Sequence, residues 1–221
     1  MTNKLNQRIV GLEIPERMRK LSISQEGYPV PWFVPWINGQ PEFRGMDGEK
    51  FGIAIRLKRC WLCGQQLGVY KIFVIGPMCA VNRVTAEPPC HLKCAEYAVK
   101  ACPFLTQPRM RRNEKDLPEE RHVAGLMIKR NPGVICLWAT QSYKIFNAHS
   151  GGKGVLFEIG KPEKVEFYTE GRKATYEEIV QSIDTGLPLL LREAEQDADP
   201  QGAIAALHKQ VEVAMKLLPS Q

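Results

Sequence analysis

The sequence predicts an α+β protein with a mostly antiparallel sheet and C-terminal helices, and three observations predict it. Short β-rich segments joined by Gly, Ser and Asn turns run from Gly133 to Tyr168. The pattern changes to helical periodicity after Gly171. Six of the seven cysteines crowd between Cys60 and Cys102, which points to a metal-organised module in the middle of the chain.

In the β-rich half, Gly133–Thr140, Tyr143–Phe146, Val155–Ile159 and Val165–Tyr168 read as four strands, and their short connections imply antiparallel pairing. Val134 to Trp138 is apolar on both faces, so it belongs to a covered central strand. Upstream, Phe51, Ile53, Ile55 and Leu57 alternate with Gly52, Ala54 and Arg56, which reads as a strand delivering the chain to Cys60. Val69–Ile75 is β-rich again, and the two segments are expected to form a hairpin capped by Cys60-Trp61-Leu62-Cys63-Gly64.

The helical half opens at Thr175, with Glu178 three positions on, the pattern of a capping box. That helix is expected to run to Gly186-Leu187-Pro188, with a second segment over 188–197. The last helix, Pro200 to Leu218, sets Ile204, Leu207, Val211, Met215 and Leu218 on one stripe, which would pack on the sheet or form a dimer contact. At the other end, residues 1–26 suggest a short helix or loosely held arm. Residues 27–48 carry four prolines with Trp32, Phe33 and Trp36, which favours an extended course. The aromatics there suit packing onto the core; a stacking surface for bases or a partner is the sharper alternative.

The expected organisation is an extended arm at 1–48, a zinc-binding hairpin and helix module at 49–106, a basic linker at 107–132, and antiparallel strands followed by helices at 133–221. Residues 49–221 would form one compact unit. Charges throughout the first twenty residues leave no secretory core. The longest apolar stretch, Val69–Val81, is interrupted by Lys71 and Gly76-Pro77, so a soluble, cytoplasmic protein with no membrane partner is expected. In that reducing compartment the cysteines favour metal over disulfides.

Cys60 and Cys63, with Gly64 next, form a two-thiolate half-site on a tight turn. Glu87-Pro88-Pro89 followed by CHLKCAEYAVKAC starts a helix that Pro103 ends, and it places His91 and Cys94 on one face. The preferred ligand set is Cys60, Cys63, His91 and Cys94. Replacement of His91 by Cys90 is the next alternative, and sets that include Cys79 come third. Cys102, eight residues past Cys94 and about 12 Å along a helix axis, is read as core. Thiolate and imidazole donors favour Zn²⁺, and four protein ligands make a closed, non-catalytic site.

Catalytic chemistry is mostly excluded. The four histidines lack the His-x-Glu element of zinc deaminases, and Pro89-Cys90 is followed by Cys94, one residue too far. Ser150-Gly151-Gly152-Lys153-Gly154 lacks phosphate-loop spacing and reads as a hairpin turn. A metal- or cysteine-dependent hydrolase or nuclease remains the rival reading, drawing on His122 or His149 near Cys79.

Net charge is +6. From Lys50 to Arg130 there are 15 Lys or Arg against 6 Asp or Glu, whereas from Thr175 onward 3 basic residues face 8 acidic ones. Arg109, Arg111, Arg112 and Lys115 form the densest basic stretch and are the candidate nucleic-acid contacts; a solvated loop paired with Glu114, Asp116, Glu119 and Glu120 is the competing reading.

At CWLCG, IGPMCAVNR, EPPCHLKCAEYAVKACPFL, RNPGV and YTEGRKATYEEI the chain resembles a family of small cysteine-rich proteins encoded by bacteria and their phages. The resemblance spans nearly the whole chain. It implies a bacterial or phage cytoplasmic setting and metal binding by the cysteines just named, and a phage origin would suit an interaction role such as inhibition of a host or defence component. It brings no catalytic residues.

Overall fold

A computed structural model describes residues 3–107, 133–147 and 154–219. It is an α+β arrangement in which the described strands pair antiparallel. β3 (Lys71–Ile75), β5 (Ile135–Thr140), β8 (Lys164–Thr169) and β9 (Arg172–Lys173) form a four-stranded sheet in the order β3-β5-β8-β9. β4 (Val84–Thr85), β7 (Val155–Ile159) and β6 (Tyr143–Asn147) form a second sheet in the order β4-β7-β6. The four strands expected in the second half are present, but they divide between two sheets.

β5 is central and covered on both faces, as its uninterrupted apolar run predicts. Ile135 and Leu137 point into one core with Ile72, Tyr168 and the helix α3 (Leu92–Ala101). Cys136 and Trp138 point into the other, with Phe73, Phe157, Phe167 and the helices α2 (Pro77–Asn82), α5 (Tyr176–Ala194) and α6 (Pro200–Met215). Each fully buried large side chain contributes about 1.5–3 kcal/mol of apolar transfer. The indole of Trp138 meets its polar requirement by donating to the carbonyl of Gly160 at 3.0 Å.

The segment 51–57 corrects the expectation of a strand. It lies in α1 (Gly48–Arg56), where Asp47 caps the first turn by accepting from the amides of Glu49 and Lys50. Phe51, Ala54 and Ile55, at spacings of three and four, face the interior, and these outweigh the period-two alternation. The expected hairpin therefore does not form. β3 instead pairs with β5, Phe73 opposite Trp138.

Two further expectations change. The capping box at Thr175 and Glu178 forms as read, but α5 runs unbroken through Pro188, so there is no separate helix over 188–197. Proline removes one ladder bond there, and the packing of Leu187, Leu190 and Leu191 into the core carries the helix across it. The stripe on α6 buries Leu207 and partly buries Val211, Met215 and Leu218, chiefly against α2 and α5 rather than flat on a sheet.

The N-terminal arm is laid onto the cysteine module. Ile9 and Met18 are buried in the same core as Cys60 and Cys94. Trp32 donates its amide to Leu62, and the Phe33 ring stacks on Trp61 with centroids 4.7 Å apart. Trp36 is exposed on the small ribbon formed by β1 (Trp36–Ile37) and β2 (Gln40–Pro41). α4 (Pro103–Thr106) follows α3 after Cys102. Among the described residues no helix is long and apolar enough to cross a membrane.

Candidate metal centre

The turn that carries Cys60 and Cys63 is built chiefly by backbone bonds. Arg59 and Gln66 bridge, the amide of Leu67 donates to Lys58, and the amide of Cys60 donates to Gln65 at 2.7 Å. The amide of Gly64 closes the loop on the carbonyl of Cys60 at 2.8 Å. Gly64 has φ +73°, and a Cβ there would lie 2.7 Å from the ring of Trp32, so this position requires glycine on two counts. Arg59 reaches over the turn and donates to the Gly64 carbonyl at 3.0 Å.

The other half comes from the start of α3. His91 is its N-cap residue in an extended conformation, which swings the ring off the helix, while Cys94 sits in the first turn. The amide of Trp61 donates to the Pro89 carbonyl and sets one half against the other. A pair of bonds between Ile72 and Cys90 then fastens the helix start to the edge of β3.

These elements bring Cys60, Cys63, His91 and Cys94 together, with one ligand atom from each and all four within 4.8 Å of one another. Nδ1 of His91 lies 3.4 Å from Sγ of Cys63 and 4.0 Å from Sγ of Cys94. A tetrahedral ion with metal–sulfur bonds of about 2.3 Å has donor–donor edges of about 3.8 Å, so the arrangement has the right size. The cluster could hold a metal ion. Among the described residues no other group of three or more His, Cys, Asp or Glu side chains converges in this way.

The surroundings favour a negative sulfur at Cys60. The amides of Cys63 and His91 donate to Sγ of Cys60 at 3.5 and 3.4 Å. Burial opposes a charge on Cys60, but hydrogen bonds from Cys63, Cys94 and His91 outweigh it and hold this thiol well below its ordinary range. Hydrogen bonds to Cys60 and then Cys63, followed by burial, push the Cys94 thiol upward. Hydrogen bonds to the sulfurs of Cys60 and then Cys63 push His91 up to about 10. Its other nitrogen, Nε2, lies 2.9 Å from the carbonyl of Gln66; an N–H there donates to that oxygen and leaves Nδ1 free to bind.

Cys90 turns away. It is buried, its Sγ donates to the Ile72 carbonyl at 3.2 Å, and burial pushes its thiol well up. Cys79, on α2, is half-buried in the helix-side core, where burial and then Glu87 push its thiol up to about 11. That is the opposite of an activated nucleophile. Cys102 caps the end of α3 and stays outside the cluster. Arg109, Arg111, Arg112, Lys115, His122 and His149 lie outside the described residues, as does the Ser150–Lys153 part of the glycine-rich turn.

The turn and the two halves of the cluster were readable from spacing. The Gln66 carbonyl, the Trp32 lid over Gly64 and the Ile72–Cys90 bridge were not, because they are backbone or long-range contacts; the one available signal was Gly64 directly after the second thiol. Comparison with known protein families, with curated proteins and with solved structures gives no match to this chain. What the fold and the cluster define is a class: an α+β protein with a Cys3His group able to bind a metal.

Proposed function

We propose that this is a zinc-stabilised binding protein of the bacterial or phage cytoplasm that grips nucleic acid through the basic stretch containing Arg109, Arg111, Arg112 and Lys115. The observation that carries the reading is the convergence of three sulfurs and one imidazole nitrogen within 4.8 Å. That donor set selects zinc over oxygen-seeking cations, and four protein ligands leave no position for a substrate, so the ion acts as a staple. It ties the Cys60 turn, the start of α3 and, through Trp32, the N-terminal arm into one unit. The seven thiols are free, in keeping with a reducing compartment.

The nucleic-acid part rests on the charge distribution, in which 15 of the 30 basic residues fall between Lys50 and Arg130. Arginines pair with phosphates in two-pronged hydrogen bonds, and such binding weakens steeply with salt. The purified chain should carry one zinc by elemental analysis. Replacing Arg109, Arg111 and Arg112 by Gln should weaken binding to short DNA or RNA and lower the slope of log affinity against log salt by about 0.7–0.9 per lost phosphate contact. No mobility shift by the wild type at low salt would retire nucleic acid and leave a protein as the partner to seek.

A further inference from the structure

The four ligand side chains are unequally covered. Cys60 and Cys94 have no exposed surface and Cys63 is 8% exposed, whereas His91 is only half-buried. The sulfur side is sealed on several fronts. Trp32 lies against Gly64, the Ile72–Cys90 bridge closes the approach from β3, and Leu5, Leu12, Ile14 and Leu62 pack around the shared core. Apart from the contacts of Nδ1 with the cluster sulfurs, the imidazole is held by the hydrogen bond from Nε2 to the Gln66 carbonyl, and its edge is the open front of the site. Gln66 sits on the turn itself, so the ring can leave without opening either core.

Resting on the reading that the cluster holds zinc, we infer that His91 is the one detachable ligand and that metal is loaded and surrendered at its side. The centre is then an exchangeable staple, responsive to competing zinc ligands, and not a sealed one. Exchange would begin at Nδ1 of His91, where an incoming nitrogen or oxygen donor would compete for the imidazole's place; Cys60, Cys63 and Cys94 would part from the ion afterwards and take up protons from the solvent. Loss through the sulfur side would instead require the core around Ile9, Met18 and Leu137 to open, which is global unfolding.

The two routes differ kinetically in the intact wild-type chain. With zinc transfer followed by a pyridylazo-resorcinol dye in excess, the rate should rise with dye concentration and exceed the unfolding rate read from tryptophan fluorescence. Replacing His91 by Cys, which supplies a fourth sulfur, should slow transfer by about 10-fold or more at unchanged stoichiometry, and H91A should speed it. A transfer rate independent of dye concentration and equal to the unfolding rate overturns the inference. So does an H91C variant that holds one zinc and releases it as fast as the wild type. Should the wild type bind no zinc even after reconstitution, it is the metal reading itself that fails, and the two failures are thereby distinguished.

Discussion

Cys90 and His91 are neighbours in sequence but serve opposite sides of the helix start: Sγ of Cys90 donates to the Ile72 carbonyl on β3 at 3.2 Å, while Nδ1 of His91 faces the sulfurs of Cys63 and Cys94. The extended backbone at His91 separates the two side chains. From this follows a test between the competing ligand sets. The variant C90A should keep one zinc and lose only modest stability, about 1 kcal/mol for a neutral buried hydrogen bond plus a small cavity. Elemental analysis showing loss of zinc from C90A would transfer the ligand role to Cys90.

Removal of a cluster thiol has a larger expected effect. C60A or C63A should lose the metal and, because binding to a structural site is coupled to folding, unfold at clearly lower denaturant than the wild type. The wild type treated with a strong chelator should approach the same midpoint. A variant that retains one equivalent of zinc with an unchanged midpoint would count against the site.

Gly64 offers a test of the Trp32 lid. At φ +73°, with a Cβ directed 2.7 Å from the indole, alanine suffers both backbone strain and a clash. G64A should cost about 1 kcal/mol from the backbone alone and more from displacement of Trp32. The shift should appear in the denaturation midpoint and in the tryptophan emission.

Glu166 governs an acid-dependent contribution. Burial raises its pKa, but the ammonium groups of Lys164 and Lys173, at 2.7 and 2.8 Å, and the Tyr168 hydroxyl lower it further and hold it at about 2 against an ordinary 4.5. A carboxylate with a depressed folded-state pKa binds its proton more readily when unfolded. Its stabilising contribution is thus present above about pH 4.5 and lost as the pH falls towards about 2. In E166Q the fall in urea midpoint across that window should be shallower than in wild type; parallel curves would contradict the assignment.

Thr175 caps α5 by accepting from the Glu178 amide while the Glu178 carboxylate accepts from the Thr175 amide at 2.8 Å. Glu178 is also gripped by Arg172. T175A should lower stability by about 1 kcal/mol in chemical denaturation.

The parts legible in the sequence are those determined by short-range chemistry. The Thr175 and Glu178 box, the four strands of the second half and the two-faced apolar run at Val134–Trp138 each carry their signal within a few residues. The metal cluster joins them in part: a tight turn and a helix start aim the donors, but spacing also admits Cys90 or Cys79, and it is the structure that brings Cys60, Cys63, His91 and Cys94 together. Phe51–Leu57 went the other way. Its apolar residues satisfy both period two and the helical spacing of Phe51, Ala54 and Ile55, and the deciding groups are the Asp47 cap and the core that receives Phe51. Pro188 misled for a related reason, since a local break is outvoted by leucines anchored in a core the local sequence does not display.

β5 is the party wall of this house. Alternate residues along one short strand, Leu137 and then Trp138, serve the cysteine side and the helix side in turn. β3 repeats the pattern with Ile72 and Phe73, and β8 with Tyr168 and Phe167, so a shift of any of these strands moves side chains in both compartments at once.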